Sequence, residues 1–399
     1  MDRRRLRVAV IFGGRSGEHE VSLMSAASVM AAMDPERYEV VPVAITREGA
    51  WLLPEDAAGF LKEGIDPSRG WRVGLLADPQ VRGLIPLPPG AGGTEAPAPA
   101  GTPAGTQPSA PAVLREIDVV FPVLHGTYGE DGTIQGLLEL ANVPYVGPGV
   151  LSSAVSMDKV VMKDLFTRHG LPVTPYRGYR VHRWRREPEA VLDEIEEAFG
   201  WPVFVKPANL GSSVGVHKCR DRAALQAGLD DAFRYDRKVI VEKAVPEARE
   251  IEVSVLGNED PQASVPGEVV PSREFYDYRA KYLDDASQLL IPAPLTGEQA
   301  EEIRRLALAA YRAVDAEGMA RVDFLLSRTT GQVFVNEVNT IPGFTPISMY
   351  PKLWEASGLP YAELIDRLIQ LAIQRWQEKQ ALVTSYDPDA AAEGGGAGE

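Results

Sequence analysis

A short apolar run that ends in two glycines constrains the fold of this chain most strongly. Residues 6–12 read LRVAVIF and are followed at once by Gly13 and Gly14. Such a run is typical of a buried parallel strand that ends in a tight turn. Apolar residues then recur at helical spacing, at Leu23, Ala27, Met30 and Met33. The chain therefore begins as strand, turn and helix, the unit of a parallel α/β sheet.

The same alternation continues along the first part of the chain. Strands are predicted at residues 38–46 and 117–126, and a helix at residues 133–143. Open α/β sheets bind ligands beyond the carboxyl ends of their strands, and the glycine-rich turns of this chain lie at those ends. The sequence predicts an N-terminal open parallel α/β sheet with a ligand site at this edge.

The remainder of the chain forms a second block from about Ser152 and a third block after residue 245. Helices are predicted at 156–170, ended by Gly170, and at 298–318, capped by Gly318. A strand, a glycine-rich loop and a strand are predicted at 201–219, and further strands at 238–245, 250–257, 319–327 and 332–340.

Two segments have compositions that do not support a packed core. Residues 89–112 consist almost entirely of Gly, Ala, Pro, Ser and Thr, and residues 384–399 are rich in Ala, Gly and acidic residues. Because such segments bury too little surface to offset the entropy of ordering, we predict a disordered insertion and a disordered tail.

Charge and cysteine content exclude several classes of protein. The chain has 41 basic and 56 acidic residues among 399, and its net charge of −15 argues against a dedicated nucleic-acid binder. The single cysteine, Cys219, excludes an intrachain disulfide and a cysteine zinc site. No stretch reaches the ~20 apolar residues that span a bilayer. We expect a cytoplasmic protein without a nucleic-acid or membrane partner.

A lysine at the end of an apolar strand precedes a glycine-rich loop. Lys206 lies in FVKP, where an unpaired lysine is costly to bury, and residues 209–215 read NLGSSVG. Backbone N–H groups and hydroxyls of such a loop can close over phosphates, although the spacing excludes a Walker loop. A hairpin turn with an edge lysine explains these residues equally well.

Oxygen donors alternate along two later strands. Asp323 lies in RVDFLL, and Glu337 and Asn339 share one face of a strand in VNEVN. Two carboxylates and an amide are hard ligands that suit Mg²⁺ on nucleotide phosphates. Arg321, on the same side as Asp323, would stabilise charge on a phosphoryl or carbonyl oxygen. The alternative is a polar outer face of a two-stranded hairpin.

Two further groups of residues are weaker candidates. Glu242, Lys243 and Glu250 suit a strand edge that meets a purine and a ribose, but a solvated charged turn explains them better. Glu18 and His125 follow strands at the ligand edge, where they would bind an ammonium group and a carboxylate. A glutamate near a helix start is more often a partner of the helix dipole.

Seven motifs, taken in order, closely resemble the D-alanine–D-alanine ligases of the ATP-grasp superfamily. They read GGRSGEHEVS, LHGTYGEDGTIQG, SMDK, VKPANLGSSVG, FYDYRAKY, RVDF and NEVNTIPGFTPIS. The resemblance implies an α/β fold, α+β in its ATP-grasp part, with three domains. These are an N-terminal substrate-binding sheet domain at 1–151, a small β-rich lid domain at 152–245 and an α+β catalytic domain at 246–383.

The resemblance also implies ligands for ATP and for Mg²⁺, expected as two ions that Mn²⁺ can replace. Asp323, Glu337 and Asn339 match the metal ligands. Lys159 and Lys206 match lysines that hold the ATP phosphates, and Phe275 matches an aromatic lid over the adenine. The full set that matches ATP contacts is Lys159, Lys206, Ser212, Ser213, Glu242, Lys243, Val245, Glu250, Phe275 and Lys281.

Substrate contacts are implied in the same way. Glu18 matches the carboxylate that binds the ammonium of the first D-alanine, with Ser212 and Tyr282 as its partners in a trio that locks a loop at about 272–290. His125 matches a histidine near the carboxylate of that substrate, and Ser348 matches a contact to the second D-alanine. The residues that match contacts to the phosphoryl group and the oxyanion are Lys281, Arg321 and Gly343.

The implied reaction joins two D-alanines through a D-alanyl phosphate and releases ADP and phosphate, for peptidoglycan precursor synthesis. The resemblance implies a cytoplasmic homodimer. D-lactate or D-serine as the second substrate is one alternative, and Tyr282 is typical of members that form the dipeptide, not the lactate ester. A nucleotide-binding protein without catalysis is another, but such a protein should have lost metal ligands or Glu18.

Overall fold

Three β-sheets and their helices make up the computed structural model, which describes residues 4–88, 114–270 and 288–384. The predicted insertion and all but the first residue of the predicted tail lie outside these ranges. Phe275, Lys281 and Tyr282 also lie outside the described residues, so their roles stay predictions. None of the described helices is long and apolar enough to cross a membrane.

The first sheet has seven strands. They are β1 (Leu6–Gly13), β2 (Tyr38–Ile45), β3 (Trp51–Pro54), β4 (Gly70–Leu75), β5 (Gly83–Pro86), β6 (Arg115–Glu116) and β7 (Val119–Val123). Strand β1 lies between β2 and β7 and is parallel to both, which confirms the predicted parallel sheet there. Strands β3 to β6 extend it in antiparallel fashion, an extension that the sequence did not predict.

Three helices and a 3-10 turn at Pro67–Arg69 accompany this sheet: α1 (His19–Ala32), α2 (Ala57–Glu63) and α3 (Thr133–Leu140). The helix predicted after the first turn is confirmed as α1, but Ala27 of the helical spacing is exposed, whereas Val21, Ala26 and Val29 are buried. The buried surface differs because α1 packs both on β1 and on the last helix of the chain.

Two helices stand where the sequence predicted one from residue 156: α4 (Val150–Met157) and α5 (Lys159–Arg168). Asp158 separates them because its backbone is extended and its carboxylate accepts hydrogen bonds from the N–H groups of Val160 and Val161. It is therefore the N-cap of α5. Gly170, with φ of 71°, follows the helix end as predicted.

The second sheet is antiparallel and has the order β10-β9-β11-β8, where β8 is Tyr176–Arg180, β9 is Val203–Pro207, β10 is His217–Cys219 and β11 is Lys238–Lys243. Its helices are α6 (Val181–Arg186), α7 (Pro188–Phe199) and α8 (Arg222–Tyr235). The predicted strand, loop and strand are confirmed. Lys206 lies on β9, which pairs with a strand on each side, so it is not an edge lysine.

The third sheet contains β12 (Ala248–Gly257), β13 (Gln262–Ala263), β14 (Gly267–Val270), β15 (Gln288–Leu290), β16 (Gly318–Ser327) and β17 (Val333–Asn339). Its strand order is β15-β14-β12-β16-β17, with β13 paired to β12. The last helices are α9 (Gly297–Ala313), α10 (Met349–Ala356) and α11 (Tyr361–Gln380).

The end of α9 differs from the sequence prediction. Ile303, Leu306, Ala310 and Val314, which recur at helical spacing in the sequence, are buried along one face. The helix is capped at Val314, however, so Gly318 does not cap it. Gly318 instead opens β16 with φ of 77°, in the region that favours glycine.

Candidate active site

One face of the third sheet gathers the predicted metal and phosphate residues. Arg321 pairs with Asn339 and Asp323 with Glu337 across β16 and β17. Arg321 donates from Nε and Nη2 to the two oxygens of Asp323 at 2.7 Å each, and the Asn339 amide donates to Asp323 at 2.9 Å. The side chains of Arg321 and Asp323 are only 17% and 14% exposed, unlike those of a solvated hairpin face.

A bulge in β17 turns Glu337 toward this face. Asp323 pairs with Glu337, but Phe324 already pairs with Val335, so Asn336 is the extra residue. The bulge shifts the alternation, and Val335 and Val338 are buried whereas Glu337 is partly exposed. Without the bulge, Glu337 would lie on the same face as Val335 and enter the core.

The donor set at this face fits a magnesium ion. Asp323 and Glu337 supply carboxylates and Asn339 an amide, all hard oxygen donors. Among the described residues, no three His, Cys, Asp or Glu side chains converge on one point. A metal here would therefore need the amide oxygen of Asn339 or oxygens of a bound substrate.

Sequence reasoning missed Glu252, a buried carboxylate beside this cluster. It lies opposite Asp323 in the β12–β16 register, and its Oε2 is 3.0 Å from Arg321 Nε. The alternation of Glu250 and Glu252 in EIEVSVLG was the available signal, because alternate residues of a strand share a face. Arg321 thus lies between two carboxylates, which restricts its orientation.

Glu242, at the end of β11, is buried between two lysines. Its Oε2 is 2.8 Å from Lys206 Nζ, and its Oε1 is 3.3 Å from Lys163 Nζ. Burial acts to raise the pKa of Glu242, but the two ammonium groups lower it to about 2. Glu242 is therefore not part of a solvated turn, whereas Lys243 beside it is exposed.

Lys163 is a second residue that the sequence analysis missed, although it follows Lys159 by one helical turn on α5. Burial lowers the pKa of Lys163, while Glu242 and Glu337 overcome burial and raise the pKa of Lys206. Glu242 is thus shared between two lysines and does not neutralise Lys206 alone. A lysine that Glu242 neutralises only in part favours an anionic ligand beside it.

We expect the substitution Lys163→Met to raise the apparent KM for ATP on the order of 10-fold, with a smaller change in kcat. Without Lys163, Glu242 would neutralise Lys206 alone and reduce the positive charge available to the phosphates. Initial rates at varied ATP measure this effect. Lys163→Arg, which keeps the charge, is the control, and an unchanged KM in a folded Lys163→Met enzyme would contradict the assignment.

The glycine-rich loop between β9 and β10 contacts the other predicted residues. Lys159 Nζ donates to the carbonyl of Leu210 at 2.8 Å and lies 3.6 Å from Glu337 Oε2. Ser212 and Ser213 have φ of 50° and 57°, a left-handed conformation that serines seldom adopt. Such strain is retained where the surrounding structure or a function requires it.

Glu18 contacts this loop from the first sheet, because Ser212 Oγ donates to its Oε1. A Cβ atom on Gly126 would lie 2.6 Å from Glu18 Oε2, and one on Gly211 would lie 3.0 Å from it. A side chain at either position would crowd the Glu18 carboxylate, and Gly126 also has a φ of 73°. Glu18 is the N-cap residue of α1, so it lies at the positive end of that helix, as the helix-dipole alternative requires, but its side chain makes no capping bond.

His125 is buried, and both of its ring nitrogens are bonded within the protein. Nδ1 lies 2.9 Å from the carbonyl of Ile341, which can only accept, so Nδ1 carries the proton. Nε2 lies 3.1 Å from Ser25 Oγ. Burial lowers the pKa of His125 and favours the neutral ring. A direct bond to a substrate carboxylate would require His125 to give up one of these contacts.

The other predicted residues lie around these clusters. Glu250 is close enough to contribute to the raised pKa of Lys206, and Val245 lies in the segment that connects β11 to β12. Ser348 is the N-cap of α10, and its Oγ accepts from the N–H of Thr345 at 3.0 Å. A Cβ atom on Gly343 would lie 2.7 Å from Ser348 Oγ, so these two predicted contacts are neighbours.

We expect the partly buried Glu130 to make stability depend on pH. Burial and the charge of Glu18 raise its pKa to about 8. The folded state thus binds a proton that the unfolded state releases near pH 4.5, so this contribution is complete below that pH and is lost as the pH rises to about 8. Thermal unfolding of the wild type and of Glu130→Gln between pH 5 and 8 tests this, and equal slopes would contradict it.

Comparisons with known proteins identify the family of this chain. Residues 7–148 match the family model described as D-ala D-ala ligase N-terminus, and residues 165–370 match D-ala D-ala ligase C-terminus. A D-alanine--D-alanine ligase of Heliobacterium modesticaldum is 52% identical over 96% of this chain and 98% of its own length. One of Geobacillus thermodenitrificans is 48% identical over 96% and 99%.

Solved structures are similar over the whole fold. The D-alanine-D-alanine ligase of Coxiella burnetii has a TM-score of 0.79 and 35% identity, over 98% of this chain and 100% of that chain. The VanG D-Ala:D-Ser ligase of Enterococcus faecalis also has a TM-score of 0.79, with 33% identity over 92% and 100%. Identity near 50% over almost the full length, with both family models matched, shows that this chain belongs to the D-alanine–D-alanine ligase family.

Proposed function

We propose that this chain joins two D-alanine molecules to D-alanyl-D-alanine with the conversion of ATP to ADP and phosphate, as a step of peptidoglycan precursor synthesis. The contact between Ser212 and Glu18 carries this proposal. It joins the carboxylate predicted to bind the ammonium of the first D-alanine to the loop predicted to cover the ATP phosphates. The carboxylate of that substrate would then lie beside the γ-phosphate.

In the first step, a carboxylate oxygen of the first D-alanine attacks the γ-phosphorus of ATP, and the bond to the bridging oxygen of ADP breaks. Glu18 orients the amino acid through its ammonium group. Lys159 and Lys206 bind phosphate oxygens and stabilise the charge that spreads over the transferred group. The product is a D-alanyl phosphate, whose carbonyl carbon is activated for attack by an amine.

In the second step, the amine of the second D-alanine attacks that carbonyl carbon, loses a proton and displaces phosphate. Arg321 and the N–H of Gly343 stabilise the oxyanion of the tetrahedral intermediate. Because Asp323 and Glu252 hold Arg321 in place, its charge is oriented before the reaction begins. A covalent protein nucleophile is not needed.

Asp323, Glu337 and Asn339 are the residues that would hold Mg²⁺, and we propose two ions. When bound, the metal would neutralise negative charge on the phosphates and polarise them. We also propose a homodimer formed through the first domain, which sedimentation equilibrium would test. A cytoplasmic location belongs to the same proposal, because ATP is a substrate.

Phosphate release with different second substrates tests the reaction. We expect D-alanine alone to support turnover. When D-lactate or D-serine is added to D-alanine at neutral pH, we expect less D-alanyl-D-lactate or D-alanyl-D-serine than D-alanyl-D-alanine. The D-serine arm matters because one similar solved structure is named a D-Ala:D-Ser ligase. More D-alanyl-D-lactate or D-alanyl-D-serine than D-alanyl-D-alanine, measured by mass spectrometry, would overturn the proposed specificity.

A further inference from the structure

Residues 341–344 follow β17 and include Gly343, whose N–H is proposed to bind the oxyanion. The backbone on both sides of Gly343 is held by side chains. The N–H of Ile341 donates to Glu130 Oε1 at 2.9 Å, and its carbonyl accepts from His125 Nδ1 at 2.9 Å. The N–H of Phe344 donates to Ser25 Oγ at 3.2 Å, and its carbonyl accepts from Tyr361 at 3.2 Å.

The N–H of Gly343 differs from those of its neighbours. Pro342 has no N–H, and the N–H of Thr345 donates to Ser348 Oγ at 3.0 Å. Within the described residues, no acceptor is present for the N–H of Gly343, although that glycine is partly buried. A partly buried donor that no described group accepts, in a backbone fixed on both sides, is available to a ligand atom.

Three of the four side chains that fix this loop come from the N-terminal domain. Glu130 and His125 lie in the loop after β7, and Ser25 lies on α1. Glu130 also accepts the N–H of Gly126 through Oε2 at 2.8 Å, so one carboxylate connects both loops. Ser25 Oγ can donate to His125 Nε2 while it accepts from Phe344, so the three side chains form one connected set.

We propose that Glu130, His125 and Ser25 form a clamp that positions the N–H of Gly343 for the oxyanion of the acyl-transfer step. The clamp rests on the proposed function, which supplies the oxyanion. Glu130 is its central positioning residue, because each of its two oxygens accepts a backbone N–H from a different loop. A group that must meet a transition state within tenths of an ångström requires such support.

Substitution of Glu130 by glutamine tests the clamp in assays above about pH 8, the raised pKa of Glu130, where its ionised carboxylate has an acceptor oxygen for each N–H group and an amide has only one. We expect kcat to fall on the order of 10- to 100-fold, with the KM for D-alanine and for ATP within about threefold of the wild type. Ser25→Ala removes the acceptor of the Phe344 N–H from a different element. We expect the same pattern with a smaller loss in kcat.

Asp131→Asn is the matched control. Asp131 is the neighbour of Glu130, and its carboxylate also accepts two backbone N–H groups, from Tyr128 and Thr133, at 2.8 and 3.0 Å. It has no hydrogen bond to residues 341–344 among the described residues. We expect Asp131→Asn to leave kcat within about threefold of the wild type. An equal loss in both variants would overturn the clamp in favour of a general effect of the loop.

Hydrogen exchange gives a readout that does not depend on turnover. Peptides that contain residues 341–344 should exchange faster in Glu130→Gln and Ser25→Ala than in the wild type and in Asp131→Asn. Unchanged exchange there, or a kcat for Glu130→Gln equal to that of the wild type, would overturn the clamp. A wild type that makes no dipeptide would overturn the proposed function instead, and exchange would still decide whether the loop is clamped.

Discussion

The Glu337→Gln enzyme is expected to lose at least about 100-fold in kcat. Glu337 is one of two carboxylates in the proposed metal site, and it also lies 3.6 Å from Lys159 Nζ. The amide keeps the shape of the side chain but removes its negative charge. The substitution would therefore weaken the binding of the metal ion and leave Lys159 without this counter-charge.

Dipeptide formation measured at increasing Mg²⁺ concentration distinguishes weaker metal binding from the loss of the counter-charge beside Lys159. We expect residual activity of Glu337→Gln to require more Mg²⁺ than the wild type does. Glu139→Gln is the matched control, because Glu139, on α3, is likewise paired with a lysine, Lys379 on α11, at 2.7 Å, and has no proposed role in the reaction. Normal turnover by Glu337→Gln at ordinary Mg²⁺ would show that the metal assignment is wrong.

Arg321→Lys is the second substitution expected to have a large effect, a fall of about 100- to 1,000-fold in kcat. The guanidinium contacts both oxygens of Asp323 and one of Glu252. Lysine has no planar fork with which to hold these carboxylates and still face the substrate. The loss should fall mainly on kcat, because Arg321 is proposed to act on charge that develops during the reaction.

Arg249→Lys provides the comparison for this second substitution. Arg249 makes a bidentate pair with Glu268 in the same sheet, at 2.9 and 2.6 Å, and has no proposed role in the reaction. Thermal unfolding should show a similar effect of both substitutions on stability, while steady-state rates should differ strongly. If Arg249→Lys reduced kcat as much as Arg321→Lys, the role of Arg321 would be structural.

Much of the fold follows from local patterns in the sequence. The apolar runs at β1, β2 and β7 and the strand, loop and strand around Lys206 were predicted because buried strands leave a continuous apolar signal. The antiparallel extension of the first sheet was not predicted. Its strands are short, and nothing in their local sequence shows which edge of the sheet they join.

Some residues of the candidate site could likewise be predicted from the sequence, and others could not. Asp323, Glu337 and Asn339 could be found because alternate residues of a strand share a face, and the structure brings them together. Lys163, Glu252, Glu130 and Ser25 were missed. Glu130 contacts a residue 211 positions away in the sequence, and Ser25 contacts one 319 positions away. No local pattern therefore indicates the contacts of these two residues.

The sequence by itself determined the family, the order of strands and helices around the site, and the chemical types that the site contains. Motif residues and buried strands leave signals within a few positions of one another, which is why these features could be read directly. Only the tertiary structure decided which charges meet. A bulge in β17 moves Glu337 out of the core, Lys163 shares Glu242 with Lys206, and Glu130 joins two distant loops. These contacts depend on register and on packing between separate sheets, and both arise only when the whole chain is folded.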